Sequence, residues 1–176
     1  MKQNDPHYFP QEISDFSDPF SLLKACHQRT RNHCAALNQL AAEVAQGQLG
    51  LNAAAVALGS FRYFSGAAKR HQEDEEQSLY PRLVRQSLKI AEIIHHLKGQ
   101  HQHLESLWSR IAPQLARINQ VKEGAQLTEQ LHQFTAAHLA HLEAEEGDLM
   151  PLAMHILSSR ELKEIGSEMA QRRGRQ

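Results

Sequence analysis

Two segments of this chain repeat one pattern of side chains that can bind metal ions. Each copy has a histidine, two glutamates four and five residues later, and a proline ten residues later: His71, Glu75, Glu76 and Pro81, then His141, Glu145, Glu146 and Pro151. Residues four apart lie on one face of a helix, so each copy directs an imidazole and a carboxylate at the same point. This spacing is typical of a metal site, and the two copies indicate two metal ions.

Two further histidines complete a set of six candidate ligands. His27 precedes the first copy and His101 precedes the second, so each half of the chain carries a histidine, a turn and a His-x-x-x-Glu pair. If the halves pack face to face, four imidazoles and two carboxylates meet in the interior, where an unpaired carboxylate costs on the order of several kcal/mol. Two cations, bridged by Glu75 and Glu145 and each bound by one histidine pair, would compensate the carboxylates.

The ligand types narrow the choice of metal. Mixed imidazole and carboxylate ligation suits iron, zinc or manganese. No cysteine lies in the set, which disfavours an iron–sulfur cluster or a cysteine-rich structural zinc site. Cys26 and Cys34 are the only thiols in the chain, and we expect both to be free in a reducing compartment.

The elements that must position these ligands are predicted to be helices. The 176 residues include only 9 Gly and 6 Pro, and apolar residues recur at spacings of three and four along four long stretches. We therefore predict an all-α protein, an antiparallel up-down-up-down four-helix bundle. An extended N-terminal arm occupies 1–17 and the bundle 18–157. A short C-terminal helix and a solvated basic tail occupy 158–176.

Local signals predict where the helices begin and end. Asp18 before Pro19 favours a helix start, and the Ser158–Glu161 pair forms a capping box for the last helix. Pro81 predicts a stop or kink near the end of the second helix, and Pro113 predicts a bend in the third.

Composition excludes several classes of function. The formal net charge of -1 and a pI near 6.9 give no basic footprint for nucleic acid. No apolar run is long enough to span a membrane, and the first residues lack the apolar stretch of a signal peptide, so we expect a cytoplasmic protein. The sequence leaves open whether two bundles pair as a homodimer.

The same motifs resemble those of hemerythrin-like, HHE-type proteins. The segments that carry the resemblance are DPFSLLKACHQ, RHQEDEEQSLYPRL, KGQHQHLESLW and HLAHLEAEEGDLMPLA, which extend the similarity over about 18–156. The resemblance implies a non-haem di-iron centre with a bridging oxo or hydroxo group. Its ligands would be the following residues: His27, His71, Glu75, His101, His141 and Glu145.

The sequence departs from the oxygen-carrying members of that family. Those proteins have a further histidine four residues before the one that matches His101, and here Leu97 occupies the position. They also use a longer His-to-Asp spacing where this chain has His141 and Glu145, and both differences argue against reversible oxygen carriage. The six-residue set is more similar to that of the repair-of-iron-centres branch, whose extra N-terminal cysteine-containing segment is missing from this sequence.

Several other residues have two interpretations. His138 is either an added ligand or a hydrogen-bonded core or pocket histidine. Glu76 and Glu146 each directly follow a candidate ligand, and successive residues of a helix point in different directions. We therefore expect both to contact solvent or the ligands rather than to bind a metal. The remaining candidates are interpreted as solvated or core residues without a metal: Glu105, His95, His96, His103, Tyr63, Phe64, Tyr80 and Trp108.

Three functions are consistent with these patterns. The first is a di-iron protein that binds or senses oxygen, nitric oxide or peroxide, or handles iron during oxidative or nitrosative stress. The second is a di-iron redox enzyme that reduces peroxide or nitric oxide. The third is a structural or regulatory switch in which zinc or iron occupancy changes the stability of the bundle.

Overall fold

The fold is described by a computed structural model, which covers residues 16–121 and 124–174 and contains no strand within those ranges. Four long helices and one shorter helix account for most of this part of the chain. The predicted all-α four-helix bundle is therefore confirmed. Most of the predicted N-terminal arm lies outside the described residues, and only 16 and 17 are described, in a turn that leads into the first helix.

The helices follow one another through short connections. Helix α1 is Pro19–Ala45, α2 spans 53–83, α3 is Leu88–Leu115, α4 spans 124–156 and α5 is Ser159–Arg172. Helix α2 consists of Ala53–Arg62, Tyr63–Ala67, Ala68–Asp74, Glu75–Leu79 and Tyr80–Leu83. Helix α4 consists of Gly124–Ala144, Glu145–Leu149 and Met150–Ile156. A single 3₁₀ turn, Ile118–Gln120, lies between α3 and α4.

The predicted helix starts agree with the structure. The Asp18 carboxylate accepts a hydrogen bond from the backbone N–H of Ser21 at 3.1 Å, and Pro19 occupies the first turn. The Ser158 hydroxyl accepts from the N–H of Glu161, whose carboxylate accepts from the N–H of Ser158 in return. Both arrangements satisfy backbone donors that a helix start leaves unpaired.

A π-turn lies just before the proline in both α2 and α4. Helix α2 ends at Leu83, shortly after Pro81, as the stop or kink predicted near its end requires. A π-turn begins at Glu75, where the N–H of Tyr80 donates to the carbonyl five residues before it, and an equivalent turn begins at Glu145. Proline has no N–H and its ring collides with the carbonyl four residues earlier. The wider turn gives that carbonyl room, so the helix continues past the proline.

The core consists of two apolar clusters separated by a polar layer. Cluster A includes Phe20, Leu23, Leu79, Leu83, Ile94, Leu97, Leu149 and Met150. Cluster B includes Leu37, Ala41, Ala57, Phe64, Ile111, Leu115, Leu127 and Phe134. Along α1 and α3 the chain passes from cluster A to cluster B, and along α2 and α4 it passes from B to A. This alternation means that neighbouring helices run in opposite directions, with the candidate ligands at mid-length.

Helix α5 covers the end of the bundle that contains cluster A. Gly166 permits this close approach, because a Cβ atom added there would lie only 1.9 Å from the carbonyl oxygen of Phe16. Of the tail that was predicted to be solvated, Arg172 and Arg173 are instead partly buried, and residues 175–176 lie outside the described part of the chain. Arg172 donates to one oxygen of Asp74 at 2.8 Å and Arg173 to the other at 2.6 Å, and the Asp74 side chain is fully buried.

Candidate metal centre

Six side chains from the four bundle helices meet in the polar layer. None of the six is more than 6% exposed, although all are polar or ionisable: His27, His71, Glu75, His101, His141 and Glu145. They form two groups whose nitrogen and oxygen atoms lie within 4.8 Å of one another, with Glu75 in both groups. The structure thus brings together every residue of the predicted set, and their ligation of a metal stays a prediction.

The first group joins α1 and α2 to the carboxylates. His71 Nε2 lies 2.8 Å from Glu75 Oε1. His27 Nε2 lies 3.2 Å from Glu145 Oε2 and 3.8 Å from Glu75 Oε1. One imidazole from each of two helices therefore faces both carboxylates, which is the arrangement expected for one ion of a bridged pair.

The second group joins α3 and α4. His101 Nε2 lies 3.3 Å from Glu75 Oε2, and His141 Nε2 lies 3.9 Å from Glu145 Oε2. The Nε2 atoms of His101 and His141 are only 3.1 Å apart. Two nitrogen lone pairs at that distance repel each other unless a proton lies between them or both nitrogens face the same cation.

The interior atoms of these groups lack hydrogen-bond partners. Within the described part of the chain, the buried unpaired atoms are His27 Nε2, both ring nitrogens of His71, both carboxylate oxygens of Glu75, and Glu145 Oε2. Buried polar atoms without partners are rare because desolvation alone is costly. The short distances among them do not have hydrogen-bond geometry. Such convergence of unpaired donor atoms fits a cation, and the residues present therefore fit the metal pair that the resemblance implies.

Hydrogen bonds on the outer side of the rings fix how three histidines face the centre. His27 Nδ1 donates to Glu146 Oε1 at 2.7 Å, and His101 Nδ1 donates to Glu76 Oε1 at 2.6 Å. His141 Nδ1 is 2.9 Å from Gln100 Oε1, which also accepts. Because a carboxylate or an amide oxygen only accepts, each of these rings has a proton on Nδ1 and directs its Nε2 atom towards the centre.

These outer contacts settle the roles of Glu76 and Glu146. Both were predicted to contact solvent or the ligands, and each contacts a histidine. Arg31 in turn binds Glu146 through two hydrogen bonds of 3.0 and 2.7 Å, which lower the pKa of that carboxylate to about 2 in spite of its partial burial. Glu146 therefore stays ionised and continues to accept from His27.

Protons would compensate the buried charge of the site whenever no cation is bound. Burial opposes charge on His27, but the close carboxylates of Glu145 and Glu75 raise its pKa to about 9. Burial raises the pKa of Glu75, yet the neighbouring His71 charge lowers it well below its usual range. For Glu145, burial and repulsion by Glu75 together raise the pKa. A cation entering the site would displace these protons.

Tyr80 contacts the site in a way that the sequence interpretation missed. Its hydroxyl donates to Glu145 Oε1 at 3.3 Å, and its ring stacks on that of His101 at a centroid distance of 6.1 Å. Tyr80 is buried in cluster A, so its assignment to the core holds. The sequence did contain a signal for this contact. Tyr80 in the first copy of the motif corresponds to Met150 in the second, so the hydroxyl is a difference between the two copies.

A cavity of about 470 Å³ leads from the surface to the ligands. His71, His101 and His141 lie at its inner end, and the rings of Phe64 and Trp108 form part of its wall. Exposed polar side chains of α2 and α3 lie at its mouth: Ser65, Lys69, Glu105 and Ser109. The cavity gives a small molecule a route to the centre between these two helices.

His138 lines this cavity and does not belong to either group of candidate ligands. Its ring contacts Phe134 at 4.6 Å and Phe64 at 5.0 Å between centroids. Burial, together with repulsion by nearby imidazoles such as His141, lowers its pKa to about 3. This position is that of a pocket histidine, although His138 forms no hydrogen bond with another described residue, and its role as an added ligand stays a prediction.

The two thiols and the remaining histidines of α3 lie outside both groups. Cys26 and Cys34 are free and buried. Burial raises the pKa of Cys34 to about 12, whereas interaction with His71 lowers the pKa of Cys26 against the same effect. The histidines interpreted as solvated are all exposed: His95, His96 and His103.

Fold and site together define a helical-bundle protein with a buried histidine and carboxylate centre suited to cations. The family model of the hemerythrin HHE cation-binding domain matches residues 18–153, and this chain belongs to that family. It is also 28% identical over 169 residues to an uncharacterized protein of Haemophilus influenzae, which covers 93% of this chain and 95% of that protein. These similarities do not single out the repair-of-iron-centres branch. Within the described residues, no helix is both long and apolar enough to cross a membrane.

Proposed function

We propose that this protein is a non-haem di-iron protein that binds or senses oxygen, nitric oxide or peroxide, or handles iron during oxidative or nitrosative stress. The observation that supports it most directly is the set of buried, unpaired nitrogen and oxygen atoms at mid-length of the bundle. Glu75 contributes to both groups of candidate ligands, as a bridging carboxylate would. Bound iron ions would supply a redox couple and coordination positions open to a small exogenous ligand.

The protein's own contribution is orientation and charge. The carboxylates of Glu76 and Glu146 accept from the Nδ1 atoms of His101 and His27, which fixes both rings and makes their inward nitrogens more basic. The Tyr80 hydroxyl donates to Glu145 Oε1 and leaves Oε2 directed at His27. Four nitrogens and two carboxylates then favour an oxidised, highly charged metal pair.

The apolar cavity supports a small uncharged ligand. Oxygen and nitric oxide partition readily into apolar surroundings, and the walls near Phe64 and Trp108 offer such surroundings up to the candidate ligands.

The proposal is tested by metal quantitation with optical and Mössbauer spectra on protein produced in iron-replete cells. We expect two iron ions per chain and a coupled-pair spectrum that changes on exposure to oxygen or nitric oxide. The Glu75→Ala and Glu145→Ala variants should lose the coupled signal and keep their helicity. Glu143→Ala, at an exposed position of α4, is the matched control. A normal coupled pair in both ligand variants would contradict the assignment of the bridges.

A redox enzyme is the second candidate, and the open route through the cavity favours it. The cavity leads from the surface directly to three candidate ligands, so that a small substrate can enter and its product can leave. Turnover of peroxide or nitric oxide with a reductant distinguishes the two functions. A rate no higher than that of the His71→Ala variant would count against the enzyme.

A further inference from the structure

The cavity beside the proposed metal centre has the size of a site for an organic molecule. Its volume is about 470 Å³, whereas one water molecule occupies about 30 Å³ in the liquid. Pockets that bind organic ligands and cofactors range from about 300 to 1,000 Å³. A gas molecule would leave most of this space unfilled.

The wall of the cavity is aromatic and held in shape by ring-to-ring contacts. The Phe64 centroid lies 4.9 Å from that of Phe134 and 5.3 Å from that of Trp108, and the last two are also 5.3 Å apart. Phe64 and Phe134 are fixed further by cluster B. Rings that support one another in this way present preformed faces and edges on which another aromatic ring can pack.

His138 supplies a polar group without a partner in this apolar wall. Its ring is packed between Phe64 and Phe134, and no hydrogen bond joins it to another residue within 16–121 or 124–174. A neutral imidazole has one donor and one acceptor nitrogen. His138 is half-buried and lines the cavity, so a ligand that hydrogen-bonds to its ring gains specificity as well as affinity.

The charges around the cavity select for a neutral molecule. Lys69 and Glu105 lie at the exposed mouth with opposite signs, so they give no net attraction for an ion. Deeper in, the wall carries apolar side chains such as Leu104 and Leu142. A charged group that packs among these apolar side chains, away from the candidate ligands, would lose its hydration without a countercharge.

We propose that this cavity binds a small neutral aromatic compound with one hydroxyl or carbonyl group, whose ring packs against Phe64, Trp108 and Phe134 and whose polar group hydrogen-bonds to His138. The compound would lie beside His71, His101 and His141 and so next to the metal centre. Binding requires only the cavity, and it does not depend on which metal the protein holds.

Titration calorimetry with 4-methylphenol tests this proposal on purified protein of measured metal content. Trp108 is the only tryptophan of the chain, so its fluorescence gives a second signal from the cavity wall itself. We expect saturable binding of one molecule per chain together with a saturable fluorescence change. The anionic analogue 4-methylbenzoate should bind at least tenfold more weakly.

Two variants locate the binding site. Ala68 lines the cavity, so Ala68→Phe should fill it and abolish binding, whereas Ala136→Phe, at an exposed position of α4, should leave binding unchanged. His138→Phe should weaken binding of 4-methylphenol by about 3- to 10-fold, the effect of one neutral hydrogen bond, and leave binding of toluene unaltered.

Each outcome decides a separate part of the proposal. No saturable binding, or equal binding by Ala68→Phe, would overturn the cavity as the site. Equal affinity for 4-methylbenzoate would overturn the preference for a neutral ligand, and unchanged binding by His138→Phe would overturn its polar role. Failure to bind in protein that holds two iron ions would leave the proposed function intact. Binding in protein without a coupled iron pair would support the cavity alone.

Discussion

Replacing Arg172 and Arg173 by glutamine should strongly destabilise the protein, because both arginines neutralise a fully buried carboxylate. The two oxygens of Asp74 accept hydrogen bonds of 2.8 and 2.6 Å from these guanidinium groups, and Arg172 also binds the hydroxyl of Ser78. The arginine side chains are only 19% and 18% exposed, so solvent screens their interaction with Asp74 only weakly. Removing one side of a buried ion pair costs about 3–5 kcal/mol.

Urea unfolding of the metal-free protein measures this loss as a shift of the midpoint at constant slope. Arg160→Gln is the control, since its side chain is 88% exposed and pairs with Glu164 on the same helix, and we expect it to cost at most about 1 kcal/mol. Adding Asp74→Asn to the double variant removes the unpaired charge and should recover a large part of the stability. A double variant as stable as Arg160→Gln, or no recovery on adding Asp74→Asn, would refute the reasoning.

Three further predictions follow from contacts in the structure. Gly166→Ala should destabilise by about 1–3 kcal/mol or more in thermal unfolding, because its Cβ would meet the Phe16 carbonyl, whereas Gly99→Ala, with open space at its Cβ, should stabilise α3 by up to about 1 kcal/mol. Glu146→Gln should weaken iron binding about 10- to 100-fold in a chelator competition assay, since it removes a charged acceptor from a ligand histidine, and unaltered affinity would show that this contact is not needed. The raised pKa of His27 stabilises the metal-free fold below its unfolded value of about 6.5, and this contribution is lost as the pH rises towards about 9. Metal affinity should change in the opposite direction and rise by about tenfold per pH unit for each proton displaced, and a flat profile between pH 6.5 and 9 would exclude this linkage.

The helix count and the six candidate ligands were predictable because both depend on spacing along the chain. His71 and Glu75 share a helix face whatever the rest of the protein does, and the second copy repeats the geometry. The apolar stripes around His27 and His101 are sufficient to predict that these residues face the interior. Their convergence on two groups of atoms depends on packing, yet antiparallel helices with the ligands at mid-length leave few other arrangements.

The π-turns at Glu75 and Glu145 were not predicted, although the prolines that follow them are visible in the sequence. Pro81 was predicted to stop or kink α2 near its end, and no effect was predicted for Pro151; both helices continue for a short distance past the proline. Local rules give the penalty of a proline in a helix. They do not show that packing of the flanking residues in cluster A, such as Leu83 and Ala153, holds the helix together beyond it.

The sequence by itself determined the fold class, the two halves and the six candidate ligands, because helical periodicity and the cost of buried charge act on neighbouring residues. Only the tertiary structure decided which outer partner orients each histidine, that Tyr80 donates to Glu145, and that the C-terminal arginines neutralise Asp74. It also decided the aromatic cavity around His138. These contacts join residues far apart in the chain, and their distances depend on how the helices pack, which no local pattern specifies.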